Sequence, residues 1–99
     1  MIDVLIGLNV TNQELYAEYR KHMSPLLEAH GGGFIVDVHV AEVLRAPEPK
    51  PINRLFTIRF PSLAQYDAFF ASAEYLAVRK RYFEPSVGAV QRLGRYEVL

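Results

Sequence analysis

FIVDVHVAEVL, residues Phe34 to Leu44, decides how the rest of the chain is read. Val, Ile and Phe dominate it and polar residues recur at alternate places, the pattern of a strand with two different faces. The alternation puts Phe34, Val36, Val38 and Val40 on a face that seeks a core. Ile35, Asp37, His39 and Ala41 fall on the other. An acid and an imidazole therefore stand side by side on the face that the core does not claim.

Working back from this strand, Gly31-Gly32-Gly33 marks the end of a helix, where left-handed backbone is inexpensive. That helix begins at Thr11, whose hydroxyl and the Glu14 carboxylate form a capping box. Its buried side is read as Leu15, Tyr19, His22 or Met23, and Leu26, with a kink or restart near Ser24-Pro25. Ahead of it, Ile2, Val4, Ile6, Leu8 and Val10 alternate with Asp3, Leu5, Gly7 and Asn9, which makes residues 2–10 a first strand.

Working forward, residues 45–53, RAPEPKPIN, contain three prolines and read as a stiff extended connection. Arg54 to Phe60 is a third strand with Phe56, Ile58 and Phe60 inward. Ser62 and Gln65 cap a second helix whose stripe is Leu63, Tyr66, Phe69, Phe70 and Ala73, and Ser72 starts a further turn. Glu84-Pro85-Ser86 breaks the helical stretch before a last strand over Val90 to Leu99. There Arg92, Gly94 and Arg95 interrupt the alternation.

The element order βαββαβ with right-handed crossovers predicts an α+β, ferredoxin-like fold: a four-stranded antiparallel sheet with both helices on one face. The other face would expose Leu5, Ile35, Val43 and Leu55, and a second copy of the chain is the expected cover, giving a homodimer. Ninety-nine residues make a single domain, 1–99. Eleven basic and eleven acidic residues cancel, which removes the field that nucleic acid or an anionic membrane would need. The basic run at Arg79 to Arg81 reads as a solvated helix face. Without cysteine there is no thiolate or disulfide chemistry. The start MIDVLIGLNV carries Asp3 and no basic leader, so it reads as a strand of a cytoplasmic protein and not as a signal or a membrane span.

Four short motifs come in a telling order: Tyr16-Ala17-Glu18-Tyr19, Gly31-Gly32-Gly33-Phe34, Phe60-Pro61-Ser62 and Ser72-Ala73-Glu74-Tyr75. Through them the chain resembles, over residues 2 to 83, the small bacterial proteins grouped as domain of unknown function thirteen-thirty, within the dimeric α/β-barrel superfamily. The resemblance implies a homodimer whose two sheets face each other as a barrel. Superfamily relatives include cofactor-independent monooxygenases, lactone isomerases, dehalogenating or decarboxylating enzymes, haem-handling proteins and ligand-binding modules. After Phe83 the chain departs from the family, with a longer final segment than its usual short last strand.

The chemistry is expected on the face turned from the helices. With residues 45–53 as a hairpin connection, positions summing to about 98 lie opposite each other. His39 then faces Arg59, with Asp37 one diagonal step away. Such a trio can act as a general base with a guanidinium holding a small organic acid or carbonyl compound, and Asn9 can donate to a developing oxyanion. Tyr66 is chosen as the tyrosine lining a pocket between helix and sheet. The alternative is a non-catalytic ligand-binding or assembly module in which Asp37, His39 and Arg59 merely satisfy one another. His22 and His30 read as surface or helix-end residues. No metal spacing and no phosphate-cradling loop occurs, so neither a metal nor a cofactor is expected; the haem-handling relatives alone would make His39 an axial ligand.

Overall fold

Alternation over β1 (Ile2–Val10) gives the sheet its centre: Val4 and Leu8 are buried under the helices, while Asp3, Leu5 and Gly7 face away. The computed structural model describes all residues, Met1 to Leu99. After β1 come α1 (Gln13–Ala29), β2 (Gly33–His39), β3 (Arg54–Phe60), α2 (Leu63–Ala71), α3 (Ala73–Val78), a π-helical turn (Arg79–Phe83) and β4 (Val87–Glu97). The strands lie in the order β2-β3-β1-β4 with every neighbouring pair antiparallel. This is the ferredoxin-like arrangement expected from the sequence. No helix is long and apolar enough to cross a membrane.

The core is a slab of rings and aliphatic side chains between sheet and helices. Phe56, Ile58 and Phe60 of β3 meet Tyr16, Tyr19, Met23 and Leu27 of α1 and Phe69 of α2. Phe60 packs edge-on against Tyr66 at 5.3 Å between ring centres, and Phe69 lies 4.5 Å from Tyr75. Aromatic pairs at such spacing add to the burial of their area. Of the expected α1 stripe, Tyr19 and Met23 are buried, joined by Tyr16 and Leu27, while Leu15 and Leu26 are partly covered and His22 is exposed. Asn12, not Thr11, accepts the Leu15 amide at 3.0 Å. Thr11 instead donates its hydroxyl and its amide to the Ser86 carbonyl, tying the end of β1 to the start of β4.

α1 runs through Pro25 without a restart. It ends as the glycines require: Gly32 donates to the Leu27 carbonyl and Gly31 to that of Glu28, with Gly31 at φ 75°. Ser62 caps α2 and Ser72 caps α3, accepting from Gln65 and Tyr75 respectively. Leu63, expected in the α2 stripe, is exposed.

β2 departs furthest from its expected form. It stops at His39, and Ile35 is an extra residue: Phe34 pairs with Ile58 but Val36 with Thr57. That bulge turns the strand over. Phe34, Asp37 and His39 share the helix side, while Val36 and Val38 take the open side at 47% and 43% exposure. His39 lies opposite Arg54, not Arg59. The cause of the shifted register is local. Asn53 donates its amide to Leu8, and its side chain pairs with both the amide and the carbonyl of Val10 at 2.7 and 2.8 Å, so the residues before β3 belong to β1. Residues 41–52, with their prolines, have no ladder to join. They bend over the open face instead, where Ile52 lies against Gly7 and the Gln91 amide donates to the carbonyls of Glu48 and Lys50.

The bulge delivers Asp37 to two guanidiniums. Arg54 reaches it at 2.8 and 2.9 Å and Arg20 of α1 at 3.0 and 3.1 Å, while the Arg20 guanidinium lies 3.8 Å from the Phe34 ring centre. The hydrogen bonds from Arg54 and then Arg20 hold the Asp37 carboxyl down to about 2, against the opposing pull of partial burial.

Two outcomes follow. At Gly31 a side chain would need strained backbone and would sit 2.7 Å from Pro61 Cγ, so Gly31→Ala lowers unfolding free energy by about 1–2 kcal/mol in a urea titration. Asp37 has a folded-state pKa below its unfolded one, so its contribution is complete above about pH 4 and disappears as pH falls toward 2. Solvent screening limits it to about 1 kcal/mol. Unfolding titrations across that window should fall more steeply for the wild type than for Asp37→Asn; equal slopes would deny the clamp a role.

Candidate functional site

The helices do not reach across the whole sheet, and β4 is left partly bare. Between it and the helices opens a cleft of about 370 Å³, within the range of small-molecule sites. Thirteen of its eighteen lining residues are hydrophobic, so a ligand entering it loses water along most of its surface. Tyr66 and Phe70 of α2 form one wall, Val90 of β4 the facing one, and Leu8 and Phe56 part of the floor.

The polar groups within it are few and specific. Tyr19 and Tyr75 share a hydrogen bond of 2.9 Å between their hydroxyls, both rings being buried. Burial pushes both hydroxyls above the usual tyrosine range, although the Tyr19 hydrogen bond and the Arg79 charge pull Tyr75 the other way. Both thus remain protonated at neutral pH and serve as neutral donors. Tyr16, likewise raised by burial, accepts from Arg20 Nε at 2.8 Å. At the rim stand Arg79, Arg92 and Arg95, with Asp67 the one carboxylate of the lining. The guanidinium carbons of Arg92 and Arg95 lie 5.9 and 5.6 Å from the centre of the Tyr66 ring.

Of the residues singled out from the sequence, Tyr66 lines this cleft as expected; Asn9, Asp37, His39 and Arg59 do not. His39 is exposed on the edge strand, makes no side-chain hydrogen bond and does not line the cleft. Asp37 is committed to Arg20 and Arg54. Arg59 is on the opposite face of the sheet, where its guanidinium grips Asp3 at 2.7 and 2.9 Å. The trio expected from a symmetrical hairpin is therefore dispersed over two faces. Asn9 sits on β1 opposite Ala89, its amide 3.3 Å from the place a side chain at Gly88 would occupy. Nor do any three His, Asp or Glu side chains gather where they could hold a metal ion.

Sequence reasoning passed over Tyr19, Tyr75, Arg79, Arg92 and Arg95 as site residues. A signal existed for some of them. Tyr19 and Tyr75 close the two Ala-Glu-Tyr motifs, and the broken alternation at Arg92, Gly94 and Arg95 is what an inserted residue produces. Arg79 belonged to a run read as a solvated face.

The fold has many relatives of known structure. A protein of unknown function from Rhodopseudomonas palustris is 21% identical, covers 99% of this chain and 82% of its own, and superposes with a TM-score of 0.82. A dabb family protein with a ferredoxin-like fold from Mesorhizobium loti, 14% identical with 99% and 96% covered, gives 0.72. An antibiotic biosynthesis monooxygenase-like protein from Nitrosomonas europaea, also 14% identical with 100% and 99% covered, gives 0.67. At these identities the likeness speaks for the fold alone. Among curated proteins no match is found. The model of one family aligns with residues 4–89, from β1 through both Ala-Glu-Tyr helices into β4, and the chain belongs to that family, Domain of unknown function (DUF1330).

Proposed function

We propose that this chain forms a homodimer with a small-molecule site in the cleft between helices and sheet, and that the site performs cofactor-independent acid/base chemistry on a small organic acid or carbonyl compound. The observation that carries the reading is the pair of protonated tyrosine hydroxyls, Tyr19 and Tyr75, hydrogen-bonded to each other in a largely apolar cleft with charged groups in its lining. A carbonyl oxygen within reach of one hydroxyl receives its hydrogen bond while the second hydroxyl supports the first. Negative charge developing on that oxygen is stabilised more than the neutral ground state, and the low dielectric magnifies the difference. Asp67, the one carboxylate of the lining and without an ion-pair partner, is our candidate for the base that takes a proton from the carbon beside that carbonyl. Kinship of fold with a monooxygenase-like protein is in keeping with chemistry of this class.

A second reading, binding without turnover, is favoured by one fact: none of His22, His30 and His39 lines the cleft, so no imidazole is present to shuttle protons near neutral pH.

The dimer reading is supported by the open sheet face. Residues 41–52 shelter the β1–β4 side of it, whereas Ile35, Val36 and Val38 stay between 43% and 50% exposed on the β2 side. A second copy laid across that half would remove a contiguous apolar strip from water.

Both parts can be tested. Proton–deuterium exchange beside the carbonyl of small 2-oxo acids in heavy water, followed by NMR, should be accelerated by the protein. It should fall about 100-fold in Asp67→Asn and about 10-fold in Tyr75→Phe. Saturable binding with no exchange selects the second reading, and no binding at all defeats both. Light scattering should give twice the chain mass at micromolar concentrations, with Val38→Glu reduced to single chains; a monomeric wild type would overturn the dimer.

A further inference from the structure

We propose that the cleft is built for an aromatic carboxylate, its acid group held between Arg92 and Arg95 and its ring lying beside Tyr66. The inference rests on the reading of the cleft as a ligand site and adds the chemical class of the ligand.

The argument begins with an extra residue. β4 pairs with β1 in one register at Leu5–Gly94 and in another at Ile6–Arg92, which leaves Leu93 unpaired. In a regular strand two residues three places apart point to opposite faces. The inserted Leu93 reverses that: Arg92 stands opposite Ile6, Arg95 opposite Val4, and both project on the helix side over the cleft. A second insertion borders the same opening. In the turn Arg79–Phe83 the Glu84 amide donates to the Arg79 carbonyl five residues back at 3.0 Å, and Arg79 and Phe83 both line the cleft. Bulges and π-turns interrupt regular hydrogen bonding and recur where a fold aims a side chain at a ligand.

The charges are unbalanced in a particular way. Arg20, Arg54 and Arg59, packed along the sheet, each hold a carboxylate at 3.0 Å or less. Arg79, Arg92 and Arg95 border the cleft and hold none; Asp67 forms no ion pair with them. Three like charges beside an apolar hollow repel one another, and an anion seated among them relieves that repulsion. Two guanidiniums near one ring present a planar, multi-donor cradle that matches a carboxylate. Apart from Asp67 and the Asp37-bound Arg20, the rest of the cleft is ring and aliphatic surface, which suits an anion with an apolar, flat body. Tyr66 and Phe70, 5.0 Å apart, supply the aromatic wall.

Phenylacetate and its uncharged isostere phenylacetamide separate the ideas. In NMR titrations of the full chain, phenylacetate should shift the Tyr66, Phe70 and Val90 signals at least tenfold more tightly than the amide. The double variant Arg92→Gln/Arg95→Gln should lose that preference, whereas Arg45→Gln/Arg81→Gln should keep it, with unchanged melting temperatures confirming intact folds. Because Arg92 and Arg95 are exposed, the variant is expected to fold; if it does not, Arg95→Lys, which keeps charge but not the planar fork, must still weaken phenylacetate selectively. Equal affinity of the wild type for both probes, or a preference that survives in the double variant, overturns the anchor while leaving the cleft reading standing. Silence of all three signals toward both probes removes both.

Discussion

The Asp37 carboxylate, wedged between the guanidiniums of Arg20 and Arg54, settles which way the edge strand faces. Arg20 comes from α1 and Arg54 from β3, so one acid joins the helical layer to two strands. A partly exposed pair would contribute little; two guanidiniums on one carboxylate, one of them also lying on the Phe34 ring, form a network whose members are already ordered. Had β2 kept strict alternation, Asp37 would point to the open face and both arginines would crowd an apolar core without a counter-charge. The Ile35 bulge is the lesser cost.

With that end of the sheet closed by charge, the opening lies at the other end. β4 extends past the helices, and the aromatic cluster of Tyr66, Phe69, Phe70 and Tyr75 supports the near wall of the cleft. Stability and site share residues here: Tyr75 packs on Phe69 in the core and directs its hydroxyl to Tyr19. Sites built on packed elements hold their geometry better than sites on loops, and every lining residue of this one lies on a helical or strand segment.

The elements of the fold were legible because their signals are local. β1 and β3 begin and end where alternation begins and ends, and Ser62, Ser72 and the glycines at 31–33 punctuate the helices as their chemistry dictates. The α1 cap slipped by one residue because Thr11 had a better partner in Ser86, far along the chain. The site was less legible for a physical reason. A single extra residue inverts every side chain after it, and nothing in a run such as FIVDVHV announces which residue is extra. Valine tolerates either face, so Val36 and Val38 gave no warning, and the charges that chose the face, Arg20 and Arg54, are distant in sequence. Tyr66 was found because a helical stripe cannot be inverted by one insertion in a strand.

Leu93 makes the face on which Arg95 stands a matter of register and not of residue identity. Excising that one position would leave Arg92 and Arg95 two places apart, still opposite Ile6 and Val4, whereas sliding the strand so that Leu93 gains a partner would set Arg95 opposite Asp3 and turn it to the other face. Which side chains reach the cleft is thus set by where a strand slides as much as by its letters.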